Sequence, residues 1–243
     1  MTQPILIGLD HGAPGGDIGV VQIGPHTLYH ADAYALRPKL GHFDAEVMDP
    51  QYQFDNSGGG KYRKERMGSD QIVAEGLDQG FDHTIVNPLR HGSVVIFCHN
   101  DQLPDLLAYI KPRYHRFCVL QWIKKNPQPV RNKHYLPDVE FYIHAWNPGH
   151  HPIGDHHDMH RWVISGTMPS KVFGHPTVKP HDVMNKVTSN APGRTVVDPF
   201  MGTGSTGVAA IRHGKTFTGI EHNPKHFATA VDRITAAWEQ VTQ

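Results

Sequence analysis

Thr195-Val-Val-Asp198-Pro-Phe-Met-Gly202-Thr-Gly204-Ser205-Thr206 is the stretch on which the fold of this chain turns. A short β-branched run ending in an acid reads as a buried parallel strand. Gly202 and Gly204 allow a tight turn and a close backbone approach to a ligand. Ser205 is a plausible N-cap for a helix running through Val208 to Arg212, which Gly214 ends. A second strand, Thr216-Phe-Thr-Gly-Ile220, then delivers Glu221. A strand, a glycine turn, a helix and an acid roughly twenty residues on is how α/β folds seat a nucleoside, the acid bonding the ribose hydroxyls. The third glycine of the dinucleotide fingerprint is missing, so a nicotinamide cofactor is disfavoured. The same pattern can also be plain architecture.

Working back toward the N-terminus, Phe43-Asp-Ala-Glu-Val-Met-Asp49-Pro50-Gln51-Tyr52 is another short strand, broken by Asp-Pro and closed by an aromatic. Thr27-Leu-Tyr-His-Ala-Asp32 is a strand ending in an acid. Trp122-Ile-Lys124-Lys-Asn126-Pro, Tyr135-Leu-Pro-Asp-Val-Glu140-Phe-Tyr-Ile and His175-Pro-Thr177-Val-Lys179-Pro180 follow in that order. Together these six segments resemble the β-class amino-methyltransferases of DNA. The resemblance runs from about Thr27 to the C-terminus.

The resemblance implies an α/β fold: a Rossmann-like, mostly parallel sheet with one reversed strand, helices on both faces, and a circularly permuted order in which the catalytic half precedes the glycine-rich half. It implies one methyltransferase domain over 1–243, with an N-terminal extension at 1–26 and a short target-recognition insertion at 147–173. The implied cofactor is S-adenosyl-L-methionine. Glu221 would take its ribose and Asp32 its adenine amine. Thr177 and Lys179 would anchor the methionine carboxylate. Asp198, Phe200, Gly202, Gly204, Ser205, Thr206 and His222 would complete the cofactor wall. Asp49, Pro50, Gln51 and Tyr52 would form the catalytic tetrapeptide: the Asp49 carboxylate and the Pro50 carbonyl hold the target amino hydrogens, and Tyr52 stacks on the base. Gln51 departs from the family, which has a second proline there, and a less rigid Pro50 carbonyl is expected. An acid at the head of the tetrapeptide, in place of Ser, points to adenine N6 over cytosine N4. The alternatives are a weak or inactive DNA- or cofactor-binding relative, or a methyltransferase acting on RNA or protein. The implied partner is double-stranded DNA, with a homodimer open and no restriction subunit implied.

After Tyr52, Gln53 to Arg66 holds three consecutive glycines, then Lys61, Arg63, Lys64 and Arg66 within six residues. It is not a regular element. The expectation is a mobile flap gripping phosphates, against the alternative of a solvated loop. Lys124 and Asn126 complete the expected DNA contacts. Between His150 and His160 stand five His and two Asp. Their spacing fits no structural zinc pattern and there is no Cys among them, so a polar insertion is expected and no metal.

Lys+Arg and Asp+Glu are equal at 23 each, so the whole chain offers no strong basic field toward nucleic acid. The 20 His add charge only near pH 6. Cys98 and Cys118 lie in apolar runs and read as buried free thiols. No apolar run approaches the roughly eighteen residues of a spanning helix, and no signal-peptide pattern is visible. A cytoplasmic protein is the expectation.

Further strands are expected at Ile5–Leu9, Ile18–Ile23 and Gly92–Cys98, the first two as an edge hairpin. Arg116–Ile123 and Val139–Trp146 follow each other without a helix and read as an antiparallel pair. Helices are expected at Ser69–Gln79, at Leu103–Lys111, and from Asn223-Pro224 onward. The last of these carries Phe227, Val231, Ile234 and Trp238 at helical spacing, a core stripe.

Overall fold

A computed structural model describes residues 5–6, 18–52, 80–127, 135–168 and 178–243. Ten strands form one sheet: β1 (Ile5–Leu6), β2 (Gly19–Ile23), β3 (His26–His30), β4 (Phe43–Met48), β5 (His91–Cys98), β6 (Arg116–Lys124), β7 (Val139–Trp146), β8 (Trp162–Ser165), β9 (Thr195–Asp198) and β10 (Thr216–Glu221). Their order is β1-β2-β3-β10-β9-β4-β5-β7-β6-β8. The five central strands, β3 to β5, pair in parallel. β7 runs against both β5 and β6, with Val95 opposite His144 and Val119 opposite Ile143. This is the mostly parallel, Rossmann-like sheet with a reversed strand expected from the sequence. At the other edge β1 and β2 pair antiparallel as expected, and β2 turns straight into β3.

β5 is buried along its whole length, as a strand covered on both faces must be. Its side chains alternate between two cores. Val95 and Phe97 pack with Val183, Val187, Ala209 and Ile234, which come from α3 (His181–Asn190), α4 (Ser205–Arg212) and α5 (Pro224–Thr242). Val94, Ile96 and Cys98 pack on the other face with Ala33, Leu106 and Ile110, from α1 (Ala33–Leu36) and α2 (Leu103–Ile110). Helices thus cover both faces.

One expectation is corrected. Ser205 does not cap α4; it is the first helical residue. Gly204 holds the cap position at φ 83°, a left-handed conformation open to glycine. A Cβ there would lie 3.1 Å from Ile234 Cδ1 and 3.2 Å from the Ala230 Cα, so Gly204 also lets α5 approach. Part of the segment expected as an insertion pairs with the sheet. Trp162-Val-Ile-Ser165 forms β8, in parallel register with Gln121–Lys124 of β6, and Ile153 is tied to Asn190 through both backbone and side chain. The β-branched Val-Ile pair was the available signal. The strand expected at Ile5–Leu9 is seen only as Ile5–Leu6, its remaining residues lying outside the described set.

A buried polar knot anchors β4 below the core. The Arg37 guanidinium donates to Glu46 Oε2 at 3.1 and 2.8 Å and to the Arg90 carbonyl at 2.9 Å. His91 Nδ1 meets the same Glu46 oxygen at 2.6 Å, and His91 Nε2 meets the Tyr114 hydroxyl at 2.6 Å. Burial opposes the Glu46 charge, but His91 and Arg37 hold the carboxyl below its ordinary value.

Candidate active site

From β4 the chain moves outward to β5, and from β9 it moves the opposite way to β10. Diverging connections leave a crevice beyond the carboxyl ends of the strands, where open α/β sheets bind ligands. Four acids stand there at or just past strand ends: Asp32 after β3, Asp49 after β4, Asp198 closing β9 and Glu221 closing β10. All four line one cavity of about 530 Å³, together with Tyr34, Phe200, Met201 and Gly202. That volume lies in the usual range for a small-molecule site.

On the glycine-rich side, Glu221 is 7% exposed and accepts from the Gly202 N–H at 2.9 Å and the Asn223 N–H at 2.7 Å. Its carboxylate therefore clasps the turn, which Gly202 enters at φ 51°. Asp198 accepts from the Phe200 N–H at 2.9 Å and the Thr206 hydroxyl at 2.5 Å. Burial raises the Asp198 carboxyl to about 8 against those two bonds, and the charges of Asp49 and Glu221 add to the rise. Asp32 caps α1, accepting from the Ala35 N–H at 2.7 Å through one oxygen. Ser205, Thr206 and His222 also line the cavity; Gly204 is turned to the core instead.

On the catalytic side, Asp49, Pro50, Gln51 and Tyr52 all line the same cavity. The Gln51 carbonyl accepts from Gln102 Nε2 at 3.3 Å. The Tyr52 hydroxyl lies 3.0 Å from Asp49 Oδ1 and 2.7 Å from Glu140 Oε1, so its ring is held in place by the oxygen at its tip.

Lys179 reaches this side of the site. Its ammonium donates to both Asp49 oxygens, at 2.8 and 2.7 Å, and pairs with Glu140 at 2.9 Å. In the structure it is paired with the tetrapeptide, and it also lines the cavity. Glu140, from β7, is the participant that sequence reasoning missed. It stood inside a quoted motif, but only the antiparallel packing of β7 on β5 brings it to Asp49. Burial would raise the Glu140 carboxyl, yet Lys179 and Lys124 hold it at about 2.

Lys124 is partly buried and Asn126 is exposed. Lys124 pairs with Glu140 at 3.1 Å and lies over the Trp122 ring. Asn126 accepts from the Thr167 N–H at 2.8 Å, tying β6 to the end of β8. Lys61, Arg63, Lys64, Arg66 and Thr177, and the helix expected at Ser69–Gln79, lie outside the described residues. Among the described residues, no three His, Cys, Asp or Glu side chains are grouped to hold a metal. No helix among them is long and apolar enough to cross a membrane.

The model of the DNA methylase family, N6/N4 type, matches residues 89–232, more than half of the chain. This chain belongs to the N6/N4 DNA methylase family. Among curated members it is similar to the DNA adenine methyltransferase YhdJ of Escherichia coli K12, 38% identical over 65 residues. That stretch is 26% of this chain and spans only 22% of YhdJ. Among solved structures it is similar to M1.HpyAVI in its complex with SAM, with 25% identity and a TM-score of 0.62, covering 85% of this chain and 98% of the other. The cytosine-N4-specific PvuII DNA methyltransferase shares the fold: TM-score 0.61 at 14% identity, covering 89% and 92% of the two chains. As a family member, the chain carries its tetrapeptide ahead of its glycine-rich turn, and the sheet brings the two together from opposite ends of the sequence.

Proposed function

We propose that this chain transfers a methyl group from S-adenosyl-L-methionine to the exocyclic amino group of a base in double-stranded DNA, and that the base is adenine, methylated at N6. The observation that carries the reading is the single cavity walled by Asp49-Pro-Gln-Tyr52 on one side and the Gly202 turn with Glu221 on the other.

The residues present suit the cofactor. Glu221 would hold the ribose hydroxyls and the second oxygen of Asp32 the adenine amine. Phe200 and Met201 supply apolar wall, and the Gly202 turn lets the chain pass close. When bound, the cofactor supplies a methyl group on an electron-deficient sulfur. Everything else is done by this chain. The target nitrogen is a poor nucleophile because its lone pair is delocalised into the ring. The Asp49 carboxylate and the Pro50 carbonyl would accept its two hydrogens and draw that lone pair out of conjugation. This is positioning together with stabilisation of charge that develops in the transition state. The Pro50 carbonyl accepts no hydrogen bond among the described residues, so it is available. The base must leave the duplex stack to reach the cavity, and the aromatic wall of Tyr52 and Tyr34 offsets part of that cost.

Adenine rests on two supports: the acid at position 49, and the matched stretch of the adenine methyltransferase YhdJ. The test is transfer of labelled methyl groups to duplex DNA, followed by nucleoside analysis. N6-methyldeoxyadenosine in wild-type reactions, abolished by Asp49→Ala in a folded protein, is the expected result. Label on N4 of cytosine would refute the base assignment. No label on duplex DNA would leave the weak or inactive relative, or an RNA or protein substrate, as the better reading.

A further inference from the structure

Lys179 is 7% exposed, and an ammonium so far from water is tolerated only with close anionic partners. It has two. Its Nζ spans both Asp49 oxygens and reaches Glu140 Oε1 at 2.9 Å, while Lys124 holds the other Glu140 oxygen at 3.1 Å. The charges alternate along a chain of four groups, Asp49, Lys179, Glu140 and Lys124, drawn from four separate segments of the fold. An ionised carboxylate offers about four acceptor sites. Lys179 takes one on each Asp49 oxygen, and the one Tyr52 proton has its shorter path to Glu140 Oε1, at 2.7 Å against 3.0 Å to Asp49 Oδ1, so acceptor capacity remains on Asp49 for a substrate hydrogen.

We infer that Lys179, with Glu140 behind it, is a positioning residue of the reaction: it keeps the Asp49 carboxylate ionised, with acceptor capacity left for a substrate hydrogen in the cavity that Asp49 lines. The inference rests on the reading that Asp49 accepts a hydrogen from the target amino group. A protonated Asp49 would present a donor where an acceptor is needed.

The other groups facing Asp49 do not supply this control. Tyr52 brings a neutral hydroxyl from the end of β4, burial pushing its ionisation well above the ordinary value. The Cys98 thiol of β5 is pushed by burial up to about 12, and so is neutral. Asp198 of β9, raised to about 8, is neutral below that pH. Burial pushes the Asp49 carboxyl upward, Lys179 opposes the rise, and Glu140 adds to it. Lys179 itself is held charged by Asp49 and Glu140 against burial.

The competing view is a purely structural ion pair, welding the end of β4 to β7 and to the start of α3. The two views part on sign. Removing Lys179 takes a positive charge from Asp49 and raises its titration. Removing Glu140 takes away a negative charge and leaves Lys179 to Asp49 alone, so the titration falls. A structural weld loosens the same way in both cases.

The experiment is a carbon-13 carboxyl NMR titration of the free protein, with the Asp49 signal assigned by its loss in Asp49→Asn. Relative to wild type, the midpoint should rise by about one pH unit or more in Lys179→Met, fall in Glu140→Gln and stay close in Lys179→Arg. The acidic limb of kcat for methyl transfer to duplex DNA should move the same way in each variant. An unmoved midpoint in Lys179→Met, or shifts of one sign in both charge-removing variants, overturns the inference. Should Lys179→Met fail to fold, a fall in Glu140→Gln with an unchanged Lys179→Arg still supports it, and a rise or no change in Glu140→Gln refutes it. A wild-type protein that titrates as stated but transfers no methyl would count against the DNA methylation reading and leave the charge lock standing.

Discussion

Glu221 shows how one side chain serves the fold and the site together. Its carboxylate is already bound by two backbone N–H groups of the turns it sits between, which fixes where its free lone pairs point. Glu221→Gln keeps the size and one acceptor but loses the charge. It should weaken S-adenosyl-L-methionine binding by about 1.5–3 kcal/mol, the worth of a charge-assisted hydrogen bond; unchanged affinity by calorimetry would remove Glu221 from the cofactor site. Gln51 makes the second residue-scale case. Its carbonyl is held by Gln102, and its N–H donates to nothing among the described residues, so a proline fits without breaking a bond. Gln51→Pro should raise kcat with little change in KM, because a stiffer backbone aligns the Pro50 acceptor before the nitrogen attacks. Lower kcat with an intact fold would mean that the Gln51 side chain contacts substrate or cofactor, and would reopen the adenine assignment.

At the scale of elements, the joint between β9 and α4 carries an electrostatic cost, a buried carboxylate. The Asp198 carboxyl titrates at about 8 in the fold, against about 3.9 in an unfolded chain. Between those values the folded protein keeps a proton that the unfolded chain releases. Stability from this group is therefore present at low pH and is lost as pH rises through the window. Asp198→Asn can still accept from the Phe200 N–H, and its amide can donate to the Thr206 oxygen. The variant should melt a few degrees above wild type at pH 9, with the gap closing toward pH 5. A pH-independent difference in melting temperature would show that burial does not govern this carboxyl. The same joint explains why Gly204 rather than Ser205 occupies the cap. The strand must turn sharply enough to expose its end to the cavity, and a left-handed residue does this without a side chain pushing α5 away.

On the whole molecule, equal numbers of acidic and basic residues mean that any grip on DNA must be local. With Lys124 paired to Glu140, the expected phosphate contacts rest chiefly on Lys61, Arg63, Lys64 and Arg66. Changing those four to Ala should weaken DNA binding on all sequences and flatten its dependence on salt, since phosphate contacts carry affinity without sequence information. A loss confined to one recognition sequence would assign these residues to base reading instead.

What the sequence by itself determined is the set of segments whose signal is local. The β-branched run Thr195–Asp198, the glycine turn, the apolar run Val94–Cys98 of β5 and the helical stripe of α5 each announce themselves by periodicity or turn chemistry, and the tetrapeptide does so by composition. Motif order likewise made the two halves of the site legible, and with them the family. Tertiary structure alone decided which charges meet. Asp49, Lys124, Glu140 and Lys179 are far apart along the chain, and their contacts depend on β7 reversing direction to lie between β5 and β6. No local pattern encodes that a lysine just before α3 must neutralise an acid just after β4. The same holds for β8, whose four residues gain their strand partner only from the edge that β6 leaves open. Backbone preference is written residue by residue, whereas pairing between buried charges is settled by which segments the whole sheet brings within about 3 Å of one another.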